Sequence, residues 1–227
     1  MKRIRRAYSK TVSLIDETAV QIYQSFVGKK KGFLLESYDK NNGRYVFMGK
    51  NPEEVIKSKE NGLVIEKEDG TTKELSGNPV DLLKGYYSDF EIRKDDEQLA
   101  FTGGLVGGLG YDFVRYKEEL PDNNPDEIGI STISLMLVTE FLSIDHFAET
   151  MTAVVVEDDT EAGRKKAMFR CEEMVKEAFA NIRKDEKSEF QPDGKIIKQS
   201  DTLEEYSEKV NKIKQYIICL LYTSPSP

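Results

Sequence analysis

Glu36 and Ser37 are the residues whose types and position are best suited to binding a ligand. They follow a short apolar run, Phe33 to Leu35, at the end of a predicted strand. Leaving a carboxylate or a hydroxyl unpaired next to a buried strand costs free energy, so both groups need hydrogen-bonding partners. A bound small molecule that carries an amine could be one partner. We treat the pair as a candidate binding element; the alternative is that the two residues end a strand and begin a turn.

Nucleophilic and metal chemistry has few candidate residues, because the chain has one histidine, His146, and two cysteines, Cys171 and Cys219. Two widely separated thiols make neither a disulfide framework nor a zinc site, and a single histidine excludes most metal centres and histidine-dependent triads. We interpret His146 as a solvated turn residue. Cys171 lies on a predicted apolar helix stripe, so we expect an inert packed thiol with a high pKa.

A glycine-rich stretch, Leu99 to Asp112, contains five glycines and suggests a phosphate-binding loop at first sight. Their spacing fits neither the G-x-G-x-x-G pattern nor a Walker loop, and no Gly-Lys-Ser/Thr follows. We therefore expect a strand in which glycine permits the close approach of another backbone or a large side chain.

The composition is that of a rather polar globular protein, with 38% hydrophobic residues, 33% charged residues and a formal net charge of -8. Acidic excess disfavours nucleic acid and anionic membranes as partners, because binding to either depends on basic patches. No segment has the pattern of a secretory signal or the length of a membrane span. The composition thus predicts a cytoplasmic protein without nucleic-acid or membrane partners.

The periodicity of apolar residues predicts alternating groups of strands and helices. A hairpin turns at Asn41 to Gly43, and a second pairs Leu63 to Ile65 with Thr71 to Leu75. A third pairs Phe141 to Ile144 with Met151 to Val156. The other predicted non-helical elements are a strand over Ile130 to Val138 and a charged loop over Glu91 to Gln98. Four helices are predicted: Ser13 to Phe26, one that begins at Asn78, Thr160 to Ile182, and Thr202 to Ile218. The predicted buried face of the second helix consists of Val80, Leu83, Tyr86, Tyr87 and Phe90. This pattern is typical of an α+β fold, with sandwich-like antiparallel sheets packed against helices.

Two sequence blocks resemble the N-terminal region of anthranilate synthase component I, a member of the chorismate-binding enzyme family. One is Leu34 to Ser37 followed by Gly43 to Gly49, and the other is Phe101 to Gly104 followed by Gly110 to Arg115. The resemblance runs from Ser13 to Ile218. It implies a tryptophan-binding feedback site, in which Glu36 and Ser37 contact the amino and carboxylate groups of the inhibitor. The implied site residues are Leu35, Glu36, Ser37, Arg44, Tyr45 and Phe47.

The resemblance also implies a parent enzyme that converts chorismate and ammonia to anthranilate and pyruvate. Such an enzyme uses Mg2+ and receives ammonia from a glutamine amidotransferase subunit, component II. The catalytic residues and metal ligands of the family belong to the other half of the enzyme, so we assign no catalytic or metal residue here. We expect this chain alone to be inactive.

The resemblance implies four segments. Residues 1–184 correspond to the family's N-terminal domain, 185–200 to a linker, and 201–218 to the first helix of a truncated catalytic domain. Residues 219–227 resemble a translated sequencing adapter and are interpreted as an assembly artefact or a disordered tail. Two alternatives remain open at this point: component I of aminodeoxychorismate synthase, and a non-catalytic amino-acid-binding regulatory module.

Overall fold

A computed structural model describes residues 3–14, 16–36, 43–94, 99–121, 126, 128–182 and 200–223. The chain divides into two compact units, Met1–Lys184 and Asp185–Pro227. The first unit carries the candidate site. Its described residues form strands β1 to β11, helices α1 to α3 and one 3₁₀ helix. The bounds are β1 Arg3–Ser13, α1 Ala19–Phe26, β2 Gly32–Glu36, β3 Tyr45–Lys50, β4 Glu54–Lys59, β5 Gly62–Lys67, β6 Thr72–Ser76, α2 Pro79–Ser88, β7 Phe90–Lys94, β8 Gly104–Leu109, 3₁₀ helix Tyr111–Tyr116, β9 Ile133–Val138, β10 Glu140–Asp145, β11 Thr150–Asp158 and α3 Glu161–Ala180.

The larger sheet has six strands in the order β2-β3-β10-β11-β1-β7. Its neighbours are antiparallel except for β1 and β7, which run parallel. One face of this sheet packs against α1 and α3, where side chains that recur at helical spacing are buried. The stripe of α3 consists of Ala167, Cys171, Met174 and Ala178. Burial of this stripe, rather than the helix propensity of α3, supplies most of the stability of the layer.

The smaller sheet has five strands in the order β6-β5-β4-β9-β8. Strand β9 links the two sheets, because its side chains alternate between two apolar clusters. Leu135 packs with α2 and the 3₁₀ helix, whereas Met136 and Val138 pack with the larger sheet. The structure therefore confirms the α+β class and the sandwich-like packing of antiparallel sheets with helices.

Side-chain caps set the starts of the helices in the first unit. Thr18 and Gln21 form a capping box at α1, Asn78 accepts hydrogen bonds from the first turn of α2, and Thr160 accepts one from Gly163 at α3. These caps satisfy backbone N–H groups that have no partner within the helix. The predicted starts of α2 at Asn78 and of α3 at Thr160 are confirmed to within one residue. The predicted start of α1 at Ser13 is wrong, because Ser13 pairs with Thr150 as the last residue of β1.

Strands β1 and β7 are the main departures from the predicted fold. Residues 3–13 form an interior strand, and the segment expected to be a charged loop contributes β7, with residues 95–98 outside the described part. Both strands are polar, and Arg5 and Arg6 form ion pairs with Glu53 and Asp159. Three smaller predictions also need correction. Strand β9 begins at Ile133 and not at Ile130, and strand β4 was not predicted. The Tyr87 side chain, which was expected to be buried, is 60% exposed.

The second unit contains helix α4, Leu203–Thr223, for which backbone is described throughout and side chains only to Cys219. Thr202 and Glu205 form a capping box, with the Thr202 backbone N–H donating to the Glu205 carboxylate at 2.8 Å and the Glu205 backbone N–H donating to the Thr202 hydroxyl at 3.3 Å. The helix continues beyond Ile218, where the sequence predicted its end. Most of the predicted linker, residues 185–199, lies outside the described residues. None of the described helices combines the length and apolar character needed to cross a membrane.

Candidate functional site

The candidate site is built on the hairpin of β2 and β3, which the sequence predicted. Leu35 is the Cα partner of Phe47, and Glu36 is the partner of Val46. Side chains of residues paired in this way lie on the same face of a sheet, and successive residues alternate between faces. Leu35, Tyr45 and Phe47 therefore share one face. Glu36 shares the opposite face with Val46, which is buried against the helices.

Aromatic rings form the apolar part of the shared face. Tyr45 stacks on Phe47 with ring centroids 6.0 Å apart, and Phe47 meets the edge of Phe101 at 5.6 Å. Beneath them Phe141 lies 4.8 Å from Phe101 and has no exposed surface. The glycine-rich stretch thus contributes Phe101 to the same cluster as the hairpin. Leu35 is 48% exposed, so this face remains open at its edge.

Arg44 lies beside the aromatic rings and is held by Asp145 at the end of β10. The guanidinium donates from Nε and from Nη2 to the carboxylate, with an Nη2–Oδ2 distance of 2.7 Å. The central carbon of the guanidinium, Cζ, lies 4.9 Å from the centroid of the Tyr45 ring and 5.9 Å from the centroid of the Phe147 ring. These contacts fix a cation next to an apolar surface.

Asp145 also organises the turn between β10 and β11, accepting hydrogen bonds from the N–H groups of Phe147 and Ala148 at 2.9 and 3.1 Å. The pKa of the Asp145 carboxyl lies below its usual value, because these hydrogen bonds stabilise the charged form. The hydrogen bonds from the Arg44 side chain have the largest effect, and the two backbone hydrogen bonds have smaller ones. His146, the histidine predicted to lie in a turn, is exposed in the same turn. Its backbone N–H donates to the Arg44 backbone carbonyl at 3.0 Å.

We expect Asp145→Asn to lower the free energy of unfolding near neutral pH, because the charge on Arg44 and the turn lose their anionic partner. The pKa of Asp145 is depressed in the folded state, so its contribution is full above the pKa of the unfolded chain. It is lost as the pH falls below about 4. Urea denaturation at neutral and acid pH should therefore show a difference from the wild-type chain that shrinks in acid.

Arg44→Met serves as the reciprocal variant, and the double variant should cost less than the sum of the two single changes. A deficit for Asp145→Asn that is independent of pH would contradict the assigned role of the ion pair.

A cleft of about 230 Å³ opens beside this ion pair. Its wall includes Arg44, Tyr45 and Asp145, together with hydroxyl side chains from neighbouring strands. The hydroxyl residues are Thr11, Ser143, Thr150 and Thr152. Typical small-molecule sites measure about 300–1,000 Å³. The cleft is therefore a partial site, with a cation, aromatic surface and hydroxyl groups that suit an amphipathic anion or zwitterion.

The structure brings four of the six predicted site residues to one face: Leu35, Tyr45 and Phe47 through the hairpin, and Arg44 through Asp145. Glu36 is exposed at the end of β2 on the opposite face. Ser37 lies outside the described residues, so its predicted role stays a prediction. Sequence reasoning missed Asp145 and the hydroxyl residues, because they come from strands β1, β10 and β11, which are not next to the hairpin in the sequence.

The glycine-rich stretch contains strand β8, as its pattern predicted, and β8 pairs with β9. A Cβ atom on Gly107 would lie 2.1 Å from the Ser134 carbonyl oxygen. Close backbone approach is thus the physical reason for glycine there. The expected inert thiol is also confirmed: burial raises the pKa of Cys171 to about 12. Within the described residues, no cluster of His, Cys, Asp and Glu side chains has the grouping of a metal site.

Comparison with known proteins gives a consistent assignment. The sequence profile of the family described as chorismate binding enzyme matches residues 31–218. Anthranilate synthase component 1 of Acetivibrio thermocellus is 33% identical over 141 residues, which cover 61% of this chain and 28% of the relative. The Pseudomonas putida protein of the same name is 27% identical over 212 residues, covering 89% of this chain and 43% of the relative.

A crystal structure of anthranilate synthase component I from Streptococcus pneumoniae TIGR4 aligns with a TM-score of 0.47 and 22% identity, covering 73% of this chain and 36% of that one. The chain spans less than half the length of each of these relatives. The family match nevertheless covers most of the chain, and it includes both sequence blocks that carried the resemblance. The chain belongs to the chorismate-binding enzyme family.

Proposed function

We propose that this chain is the N-terminal regulatory part of anthranilate synthase component I. The observation that carries the proposal is the set of curated relatives, which bear that name and align with up to 89% of the chain. The parent enzyme would convert chorismate and ammonia to anthranilate and pyruvate in the cytoplasm, as a step of tryptophan biosynthesis. Component II, a glutamine amidotransferase, would supply the ammonia.

The reaction is a lyase reaction that this part of the enzyme does not perform alone. Mg2+ would hold the substrate carboxylates with ligands from the remainder of the parent protein. The role that we propose for the residues of the present chain is to bind an effector.

L-Tryptophan is the effector that we propose. The indole ring would pack on the face shared by Leu35, Tyr45 and Phe47, since aromatic pairs gain beyond the area that they bury. Arg44 would attract the carboxylate, although Asp145 already holds part of its donor set. Glu36 and Ser37 would reach the amino and carboxylate groups where the ligand passes the end of β2.

Inhibition requires that tryptophan bind two states of the parent enzyme with unequal affinity. We propose that it binds between the regulatory and catalytic parts and favours a packing that is closed to catalysis. The partial cleft supports this arrangement, because a ligand of the size of tryptophan needs more enclosing surface than the cleft offers. The remaining contacts would come from the rest of the parent protein.

Calorimetric titration of L-tryptophan into the product of the complete reading frame tests the effector. Ser37→Ala should weaken binding by about 1–2 kcal/mol, because the hydrogen bond of a hydroxyl to a charged ligand group is lost. Ser76→Ala is the matched control, since Ser76 is exposed on β6 of the other sheet. Absence of saturable binding to a folded protein, or equal losses for both variants, would reject the tryptophan site.

A separate assay tests the reaction. The product of the complete reading frame, supplied with chorismate, Mg2+ and ammonia, should release anthranilate, which is detected by its fluorescence. The 227-residue chain should release none under the same conditions. Formation of aminodeoxychorismate instead would assign the parent to folate synthesis.

A further inference from the structure

A cavity of about 360 Å³ lies between helix α2 and the smaller sheet. Its walls come from the first residue of β4, from β5 and β6, and from α2 together with the two residues that follow it. We call it the α2 cavity. Its volume lies within the range of about 300–1,000 Å³ that is typical of small-molecule sites. It is also larger than the cleft beside Arg44.

Glu54 contributes a buried carboxylate to the α2 cavity. The residue begins β4 and is 6% exposed. Its Oε2 atom accepts a hydrogen bond from the Tyr86 hydroxyl of α2 at 2.5 Å, whereas Oε1 has no such partner in the described part of the chain. No side-chain oxygen of the described residues is both fully enclosed and unpaired, so Oε1 keeps access to the cavity that Glu54 lines.

A carboxylate in such a position normally has a cationic partner, because burying an unpaired charge costs free energy. The preceding residue, Glu53, has one, since Arg5 donates to both of its oxygens at 2.6 and 2.9 Å. Glu54 forms no ion pair with a described residue, although Lys67 is its Cα partner on β5. The Lys67 side chain is exposed instead. The free oxygen of Glu54 therefore suits a cationic group of a ligand.

The other side chains of the α2 cavity indicate what the rest of the ligand is. Apolar and aromatic side chains form one part of the wall. They are Ile65, Leu75, Leu82, Tyr86 and Phe90. Lys67 and Lys73 line the cavity with exposed side chains, which can attract an anionic group. A molecule that fits these surroundings carries an ammonium group, a carboxylate and a short apolar body.

We propose that the α2 cavity binds a free amino acid with an apolar side chain. The ammonium group of the ligand pairs with Glu54, its side chain packs on the apolar wall, and its carboxylate is attracted by Lys67 and Lys73. The inference does not depend on the proposed tryptophan site, because the hairpin of β2 and β3 belongs to the larger sheet.

Titration of the isotope-labelled 227-residue chain with L-leucine, followed by two-dimensional NMR, tests the site. Leucine should cause saturable shifts in the backbone amide signals of Glu54, Ile65 and Gly85, which line the cavity. Two analogues of similar shape separate the two charges of the ligand. Isocaproate lacks the ammonium group and should not bind, whereas isopentylamine lacks the carboxylate and should bind more weakly than leucine.

Substitutions assign the two charged contacts. Glu54→Gln should weaken leucine binding by more than about tenfold, because the amide carries no charge to pair with the ammonium group. The substitution keeps the shape of the side chain and an oxygen that can accept from Tyr86. Glu60→Gln is the matched control, since Glu60 is exposed in the turn after β4. Lys73→Met, at an exposed position, should weaken leucine binding and leave the affinity for isopentylamine unchanged.

Three results would overturn the α2 cavity as a binding site: no saturable shift with leucine, equal affinity for isocaproate, or equal effects of Glu54→Gln and Glu60→Gln. Equal losses of leucine and isopentylamine affinity in Lys73→Met would overturn the role of the lysines. Shifts confined to Tyr45 and Phe47 would mean that leucine binds the face proposed for tryptophan, which would overturn the second site and not the first.

Discussion

Phe141→Ala should be among the most destabilising single substitutions in the first unit, with a loss of about 3–5 kcal/mol in the free energy of unfolding. Phe141 has no exposed surface and lies between the two sheets, where Phe33, Val106 and Val138 belong to the same cluster. Truncation removes a ring that lies 4.8 Å from Phe101. The loss combines the transfer free energy of the ring with the cost of the cavity, because strands held within two hydrogen-bonded sheets cannot move enough to close the space fully.

Urea denaturation of the wild-type chain and of the variant measures this loss. The two free energies of unfolding can be compared if both chains show the same slope of free energy against urea concentration. Phe147→Ala is the matched control, because the Phe147 side chain is 88% exposed. Its effect should stay within about 0.5 kcal/mol. Similar effects of the two substitutions would show that the space between the sheets is not the packed core assigned here.

Phe141→Ala also has an expected consequence for the candidate site. Phe101 and Phe47 rest on Phe141, and Phe47 belongs to the face proposed to receive the indole ring. Loss of the supporting ring should therefore weaken tryptophan binding under conditions in which the variant is still folded. Phe147→Ala should leave the aromatic cluster intact, although it removes the ring near Arg44. Comparing the two variants thus distinguishes the loss of a buried ring that supports the binding face from the loss of an exposed ring at the edge of that face.

Much of this fold follows from local sequence patterns. Asn41 to Gly43 supplies turn residues between two apolar runs, which suffices to predict the hairpin of β2 and β3. Thr160 followed by a stripe at helical spacing predicts α3. In both segments the local preference and the final packing agree, so no information from distant residues is needed.

Strands β1 and β7 were not predicted, because their partners determine their structure. Between Ile4 and Ser13, the part of β1 whose side chains the structure describes, only Ala7 and Tyr8 are buried, and the other residues are mainly Arg, Lys, Ser and Thr. Such a segment carries no period of two in hydrophobicity. It becomes an interior strand through pairing with β11 on one side and β7 on the other, which sequence patterning alone does not show.

The buried Lys50 shows that sequence patterns also fail to identify the partners of buried charged side chains. It ends β3 with only 8% of its surface exposed, and its ammonium group donates to the Phe26 carbonyl at 2.6 Å and to Glu177. Buried charges require such pairing, and the partners here are distant in sequence. The candidate site follows the same rule, since Arg44 depends on Asp145, 101 residues away. The sequence identified the hairpin residues of the site but could not supply their partners.

Gly107→Ala should destabilise the first unit by about 2–4 kcal/mol, although it adds only one methyl group. Gly107 has a φ of +155°, and a Cβ atom would lie 2.1 Å from the Ser134 oxygen and 2.9 Å from the Leu135 Cα. Both obstacles are backbone atoms of β9, which pairs with β8 at this position. No rotation of a side chain can relieve the contact, so the strands must separate locally or β8 must shift.

The adjacent Gly108 offers a control with the same chemistry and the opposite sign. A Cβ atom there would meet no heavy atom within 4 Å, and its backbone is outside the left-handed region. Gly108→Ala should therefore leave stability unchanged or raise it by about 0.4–1 kcal/mol, by restricting the unfolded chain. Urea denaturation measures both variants, and amide hydrogen exchange should locate the damage of Gly107→Ala in β8 and β9. If both substitutions had the same effect, strand propensity rather than close approach would explain the glycines. The opposite signs expected here follow from the different surroundings of the two Cβ positions, because the added methyl group is identical.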